Sequence, residues 1–212
     1  MLDYKALSKK TFDQQAPIYD SSNTVFVSKI PKQGYPFLQK AIAHIQPKRL
    51  LDIGCGTGEI ARLLQNTLPD TQVDGIDLSP AMIEQAQSKG LSHAVFQTGD
   101  AENLPYPGDT FDMAICSQSF HHYPNPSEAL AEAYRVLKPG GIFIMCDTYV
   151  ANDCLRWLEN HIALRLCHTG DVHTYGRKEL CTLFQQAGFQ KISWNQIQSF
   201  IFCCAGMKKR DR

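Results

Sequence analysis

Leu51-Asp52-Ile53-Gly54-Cys55-Gly56-Thr57-Gly58 decides how this chain is read: an apolar, strand-like run enters three glycines at alternate positions and then a segment of helical period. Glycine lets main chain approach a ligand closely, because a Cβ there would occupy the ligand's volume. The same turn also serves tight strand-to-helix packing, so by itself it leaves both readings open. Spacing and charge narrow the ligand. A dinucleotide site uses Gly-x-Gly-x-x-Gly and seats a pyrophosphate on the helix N-terminus. Here the spacing is Gly-x-Gly-x-Gly, Glu59 fills the position of the third dinucleotide glycine, and Asp52 adds a carboxylate. Two acids repel a pyrophosphate and attract an ammonium or a sulfonium in a partly desolvated cleft.

Outward from this loop, short β-branched or apolar runs alternate with helical segments, the signature of a parallel sheet flanked by helices. The strands are RLLDIG (49–54), QVDGID (72–77), HAVFQTG (93–99), FDMAICSQ (111–118) and GIFIMCD (141–147). Between them, Ile60, Leu63, Leu64 and Leu68 share one helix face, Ser79 and Pro80 open a helix that Gly90 stops, and SEALAEAYRVLK (127–138) precedes a Lys138-Pro139-Gly140-Gly141 turn. Beyond Tyr149 the rhythm changes. DCLRWLENHIALRLCH (153–168) places Leu155, Leu158, Ile162 and Leu166 on one side, read as core or lid packing rather than a membrane anchor. A helix over 177–188 follows, with Glu179 set for a capping box, and FQKISW and FIFCCAGM pair as an antiparallel hairpin at the sheet edge. Residues 1–46 carry Phe12, Tyr19, Phe26, Tyr35 and Phe37 without a clear strand and are expected to form an N-terminal lid on one compact unit, 47–212.

Twenty-one basic and twenty-one acidic residues in 212 give a formal charge of zero, so there is no electrostatic footprint for nucleic acid or an acidic membrane. A small-molecule partner is expected. The first residues, MLDYKALSKK, lack an apolar signal core, and no apolar run approaches the ~18 residues of a membrane span. Eight cysteines without a Cys-x-x-Cys pair, several inside strand-like runs, suit a reducing cytoplasm better than a disulfide framework. Cys167, His168, Asp171 and His173 match no standard zinc spacing, so no metal is expected, and KKRDR (208–212) reads as a solvated tail.

At the end of the second strand stands Asp77, where an acid can accept from both hydroxyls of a ribose, or can simply cap a helix. Gly99-Asp100-Ala101 offers an acceptor beside a small residue that leaves room for a flat ring. Together, LDIGCGTG, GIDLSP, GDAENLPYPGDTFD, SFHHY and RVLKPGG resemble, in order and spacing, the class I S-adenosylmethionine-dependent methyltransferases, in particular the small-molecule group with the quinone-biosynthesis C-methyltransferases. The resemblance covers Arg49 to Gly141 and continues more weakly to the last strands. It implies a Rossmann-like, doubly wound α/β fold of seven strands, order 3-2-1-4-5-7-6, with strand seven antiparallel and helices on both faces. It also implies cofactor contacts from Asp52, Gly54 and Gly56 at the methionine end, Asp77 at the ribose, Leu78 and Ala101 on the adenine faces, Asp100 at the adenine amino group, and Ser117 or Gln118 beneath the sulfonium, with Cys55, Gly58 and Glu102 also among the cofactor-binding residues. FDQQAPIYD resembles the family's lid and would bring Tyr19 over the cofactor.

Such a cofactor carries an activated methyl group, so the protein has mainly to align donor and acceptor and exclude water. The implied activity is direct in-line methyl transfer to a small molecule, with release of S-adenosylhomocysteine, by a cytoplasmic monomer or homodimer. His121, His122 and Tyr19 are the candidates for assisting it, histidine because it titrates near neutrality. Adjacent histidines on extended backbone point opposite ways, which limits the pair to one pocket-facing ring and leaves a structural role open. Two rivals stand beside this reading: a silent cofactor-binding module serving as sensor or partner subunit, and a nicotinamide-dependent oxidoreductase, which the loop spacing disfavours.

Overall fold

The computed structural model describes residues 3–21, 31–167 and 169–210. Five parallel strands, β1 (Arg49–Ile53), β2 (Gln72–Asp77), β3 (Ala94–Thr98), β4 (Phe111–Ser117) and β5 (Leu137–Thr148), are extended by an antiparallel hairpin, β6 (Gln190–Gln198) and β7 (Ile201–Met207). The sheet order is β3-β2-β1-β4-β5-β7-β6, with β7 antiparallel to both neighbours. The helices are α1 (Tyr4–Gln15), α2 (Tyr35–Ile45), α3 (Glu59–Leu64), α4 (Pro80–Ser88), α5 (Pro126–Val136), α6 (Asp153–Leu158), α7 (Leu164–Cys167) and α8 (Arg177–Gln186).

The central strands are buried on both sides, which is why they read as continuous apolar runs rather than alternating ones. Leu50, Val73, Met113 and Ile115 face a core filled by Leu38 and Ile42 of α2, Ile60 and Leu64 of α3, and Ile83 and Ala86 of α4. Leu51, Ile53, Ala114 and Phe143 face the opposite core, closed by Leu130 and Ala133 of α5 and Leu180 and Phe184 of α8. A doubly wound sheet leaves a crevice at the carboxyl ends where strand order reverses, here between β1 and β4.

Several expectations change. The Lys138-Pro139-Gly140-Gly141 turn lies within β5 as an irregularity: Gly140 takes a φ of +83°, donates to the Lys208 carbonyl, and the Lys208 N–H returns to the Gly141 carbonyl. Helix α3 ends at Leu64, so Leu68 lies beyond it, although its N–H still reaches the Leu64 carbonyl. The 153–168 segment is α6, a π-helical turn over Glu159–Ala163, and α7, with its stripe turned outward: Leu155 is 58% exposed, Leu158 46%, Ile162 47% and Leu166 73%. Polar contacts hold the other face to the body. Arg156 donates to the Val150 carbonyl, and the Asn160 side chain both donates to and accepts from the Thr174 main chain. Cys146 and Cys203 sit directly opposite on β5 and β7 and are joined in a disulfide, against the expectation of thiols throughout. That pairing comes from the register of the hairpin, which no cysteine spacing encodes. Among the described residues, Cys55, Cys116, Cys154, Cys181 and Cys204 remain free. Phe26 and His168 lie outside the described residues, and no described helix is long and apolar enough to cross a membrane.

Candidate active site

The glycine loop closes over the end of β1, with the Gly54 and Cys55 N–H groups donating to the Ile76 carbonyl. All three glycines have positive φ, between 52° and 74°, but for different reasons. A Cβ on Gly54 would strike Ser119 Oγ at 2.1 Å, and one on Gly58 would strike the Phe96 ring at 2.7 Å, so both positions are required by the protein's own packing. A Cβ on Gly56 meets nothing within 4 Å. Its direction is the open cleft, and it alone fits the close-approach argument.

Asp77 stands beside this opening, its two oxygens accepting from the Gly56 and Ser79 N–H groups at 2.9 Å. Burial holds its carboxyl above the usual range despite those donors. Asp52 is fully buried behind the loop, with one oxygen lacking any partner, and burial followed by the charge of Asp77 pushes its pKa up to about 7. Ser117 Oγ and Gln118 Nε2, at the end of β4, are also buried without partners. Such groups are costly unless a ligand or water completes them.

Most expected cofactor residues line one cleft: Gly54, Cys55, Gly56, Asp77, Leu78, Asp100, Ala101, Ser117 and Gln118. Three do not. Asp52 lies beneath the floor, Gly58 packs on Phe96, and Glu102 stands behind Lys5, its carboxylate pairing with that lysine and accepting from the main-chain and side-chain N–H groups of Asn125.

Helix α1 lies across this cleft. Lys5 pairs with Asp100 at 2.6 Å and with Glu102, Asp13 accepts from Ser79 Oγ at 2.6 Å, and Asp20 accepts from Thr57 Oγ1 at 2.7 Å while pairing with Lys89 at 2.8 Å. Lys5 escaped the sequence reading because a single lysine on a polar helix has no distinguishing spacing. Tyr19 follows α1, and burial plus the carboxylates of Asp77 and Asp20 raise its pKa to about 12, so it keeps its proton and can donate. Helix α2, also inside the expected lid, is anchored in the core by Leu38 and Ile42.

His121 and His122 ride on a 3-10 turn, Phe120–His122, rather than on extended backbone, and this corrects the expectation that their rings diverge. The rings lie 4.1 Å apart, and both line a second cavity of about 400 Å³ beside the first. His121 Nδ1 donates to Asp147 Oδ1 at 2.6 Å, and its Nε2 lies 3.3 Å from Asp171 Oδ1. Burial opposes a charge on His121, yet the two carboxylates prevail and push its pKa up to about 10. His122 goes the other way: burial and the neighbouring imidazolium push it down to about 4. His121 is therefore the cation and His122 the neutral ring. Asp147 was legible as an acid ending strand five, where ligands gather; Asp171 was not, because only the fold brings its loop to the histidines. Of the four residues weighed as a metal cluster, Asp171 meets the histidines, His173 pairs with Glu179 at 2.9 Å, and the Cys167 and His168 side chains lie outside the described residues.

Phe12, Tyr19, Gln118 and His122 line both cavities and form the wall between them.

Residues 51–145 match the methyltransferase-domain family. That stretch of the chain is similar to a methyltransferase domain. The chain is 33% identical over 144 residues to a demethylmenaquinone methyltransferase of Deinococcus radiodurans, a match covering 66% of this chain and 59% of that protein. Phthiotriol/phenolphthiotriol dimycocerosates methyltransferase 1 of Mycobacterium ulcerans is 39% identical over 111 residues, covering 52% and 41% of the two chains. The match thus spans well under two thirds of these curated relatives' length. In fold, the chain is similar to a methyltransferase of Thermotoga maritima described as a possible histamine N-methyltransferase, with TM-score 0.70, 23% identity, and coverage of 94% of this chain and 99% of that one. It is also similar to phosphoethanolamine N-methyltransferase 2 of Haemonchus contortus, solved with S-adenosyl-L-methionine, with TM-score 0.76, 14% identity, and coverage of 99% and 61%. The Rossmann-like fold and strand order that the resemblance implied are the ones found.

Proposed function

We propose that this chain transfers a methyl group from S-adenosylmethionine to a small-molecule acceptor held in the second cavity. The observation that carries the reading is the pair of cavities meeting at Phe12, Tyr19, Gln118 and His122. The first fits the cofactor: an open cradle at Gly56, an acid at the position that suits a ribose, and buried polar atoms on Asp52, Ser117 and Gln118 without partners. When bound, S-adenosylmethionine supplies an activated methyl group on a sulfonium. Asp52 and Asp77 give that end of the cleft the acidic character a cation needs. Asp100 would meet the adenine amino group once Lys5 yields it, and Leu78 and Ala101 would flank the ring.

The protein's own contribution is alignment and exclusion of water, which is worth ~7–11 kcal/mol where donor and acceptor are held in line. Tyr19 and Phe12 cover the junction as part of a lid carried by α1 and the turn after it, while α2 belongs with the body. His122, neutral at physiological pH, is the ring able to accept a proton from the acceptor. His121 orients the pair and presents positive charge. The relatives named for demethylmenaquinone and for phthiotriol/phenolphthiotriol dimycocerosates support a small organic acceptor. We also place the chain in the cytoplasm, as a monomer or homodimer, on the strength of its zero net charge and predominantly free cysteines.

The test is turnover with labelled methyl donor and fractionated small-molecule extract, read as released S-adenosylhomocysteine and a labelled product. Gly56→Val should lose cofactor binding by calorimetry, since its side chain enters the open cleft at a φ of +52° that strains any L side chain, and a thermal unfolding curve separates lost binding from lost folding. His122→Ala should bind cofactor within a few-fold of the parent and turn over ~10²–10⁴-fold more slowly. Cofactor binding without S-adenosylhomocysteine release on any fraction would favour the silent module.

A further inference from the structure

We propose that His121, His122 and Asp171 form a binding site for a divalent transition-metal ion at the wall of the acceptor cavity. This rests on the acceptor reading above only for its purpose; the site itself stands on its donors. The ligating atoms, His121 Nε2, His122 Nδ1 and one Asp171 oxygen, all lie within 4.8 Å of one another, with Asp171 Oδ1 at 3.3 Å from the first ring and 3.5 Å from the second. Four ligands at ~2.1 Å around a tetrahedral ion are separated by about 3.4 Å, so those separations already match an ion's coordination shell.

Two further observations point to a ligand. His122 Nδ1 is buried, on a side chain only 10% exposed, and has no hydrogen-bond partner. His121 donates its other ring N–H to a buried carboxylate, Asp147, which also accepts the His121 main-chain N–H at 3.1 Å. This is the outer-shell arrangement that fixes the tautomer and aim of a metal-binding imidazole. The loop carrying Asp171 is tied to the same turn, because the Val172 and His173 N–H groups donate to the His121 carbonyl at 2.8 and 3.2 Å. Asp147 and Asp171 together favour a positive charge between them, which a proton on His121 satisfies in the metal-free protein and an ion would satisfy more fully.

Two imidazoles and one carboxylate suit manganese, iron, cobalt or zinc rather than calcium or magnesium. Three protein ligands leave coordination positions open toward the cavity, where an acceptor hydroxyl or enol oxygen can enter. An oxygen on such an ion gives up its proton more readily. With the ion bound, His122 serves as a ligand rather than a base, so that proton is released to solvent, and the oxygen, or a carbon conjugated with it, attacks the methyl carbon as the carbon–sulfur bond breaks and its electron pair stays on sulfur. Glu159 lines the same cavity with one carboxylate oxygen buried and unpartnered, adding negative charge that favours a cation.

The experiment uses the full chain stripped with chelator and titrated with cobalt(II) alone, read by its visible ligand-field bands and by calorimetry, with S-adenosylhomocysteine affinity measured in parallel. One cobalt ion per chain is expected, with affinity falling at least tenfold in Asp171→Asn and in His122→Gln and unchanged in His173→Gln. Absence of cobalt binding up to millimolar concentration, or binding that survives both substitutions, would overturn the site. Loss of S-adenosylhomocysteine binding in the parent protein would instead strike the methyltransferase reading, leaving the metal result to stand or fall separately.

Discussion

Asp52 shows how much one buried carboxylate can control. Its fully buried position and the nearby charge of Asp77 raise its pKa to about 7, so near neutrality it is divided between neutral and charged forms. A cationic ligand selects the charged form. Cofactor affinity should therefore weaken as pH falls below about 7, by up to about tenfold per pH unit, and calorimetry should show proton release on binding near pH 6.5. Asp52→Asn should flatten the pH profile, and a parent affinity constant from pH 5.5 to 8 would contradict this account. Stability carries the opposite sign: a carboxyl that holds its proton more tightly when folded loses stability as pH rises from about 4 through 7. His121 also loses its contribution on the alkaline side, fully present below about 6.5 and gone as pH rises through 10.

At the scale of elements, α1 and the α6 to α7 segment behave differently from the rest. Helix α1 is held by ion pairs and hydrogen bonds at its Lys5, Asp13 and following Asp20 positions, contacts that cost little to break and so suit a cover that must admit a cofactor. Helix α2, by contrast, buries Leu38 and Ile42 completely. Replacing Leu155, Leu158 and Ile162 by glutamine should change stability to urea by no more than about 0.5 kcal/mol per site, since water already reaches them. Leu38→Ala should cost about 2–5 kcal/mol by leaving a cavity between α2 and the sheet. Comparable losses in the two sets would mean that the exposed stripe is buried in solution.

For the whole molecule, the β5 to β7 pairing decides both sheet closure and the covalent link. Cys146 and Cys203 are separated by 57 residues in sequence and lie face to face only because the last strand returns antiparallel. Closing a loop of that length restricts the unfolded chain, and reduction should lower the free energy of unfolding by about 2–4 kcal/mol. Urea unfolding with and without reductant measures this, and mass mapping of the linked peptides without reductant checks the pairing. Identical unfolding curves under both conditions would show that the link does not form in solution.

The sequence by itself determined the alternation of strands and helices and the glycine loop, because apolar runs, glycine positions and strand-end acids are local features whose physical requirements repeat at fixed spacing, while the order of the sheet came from the family resemblance. Asp77, ending a strand, and Asp100, just past one, were readable on that basis, while Ser117 came from the resemblance. Only the tertiary structure decided that Gly56 opens to the cleft while Gly54 and Gly58 serve packing, that Glu102 faces Asn125, and that the 155–166 stripe faces outward. It also decided the division of charge between His121 and His122, because that depends on Asp147 and Asp171 arriving from distant segments. Local pattern fixes which way a strand or helix begins; proximity between remote side chains, and therefore their protonation and partners, exists only after the chain has closed on itself.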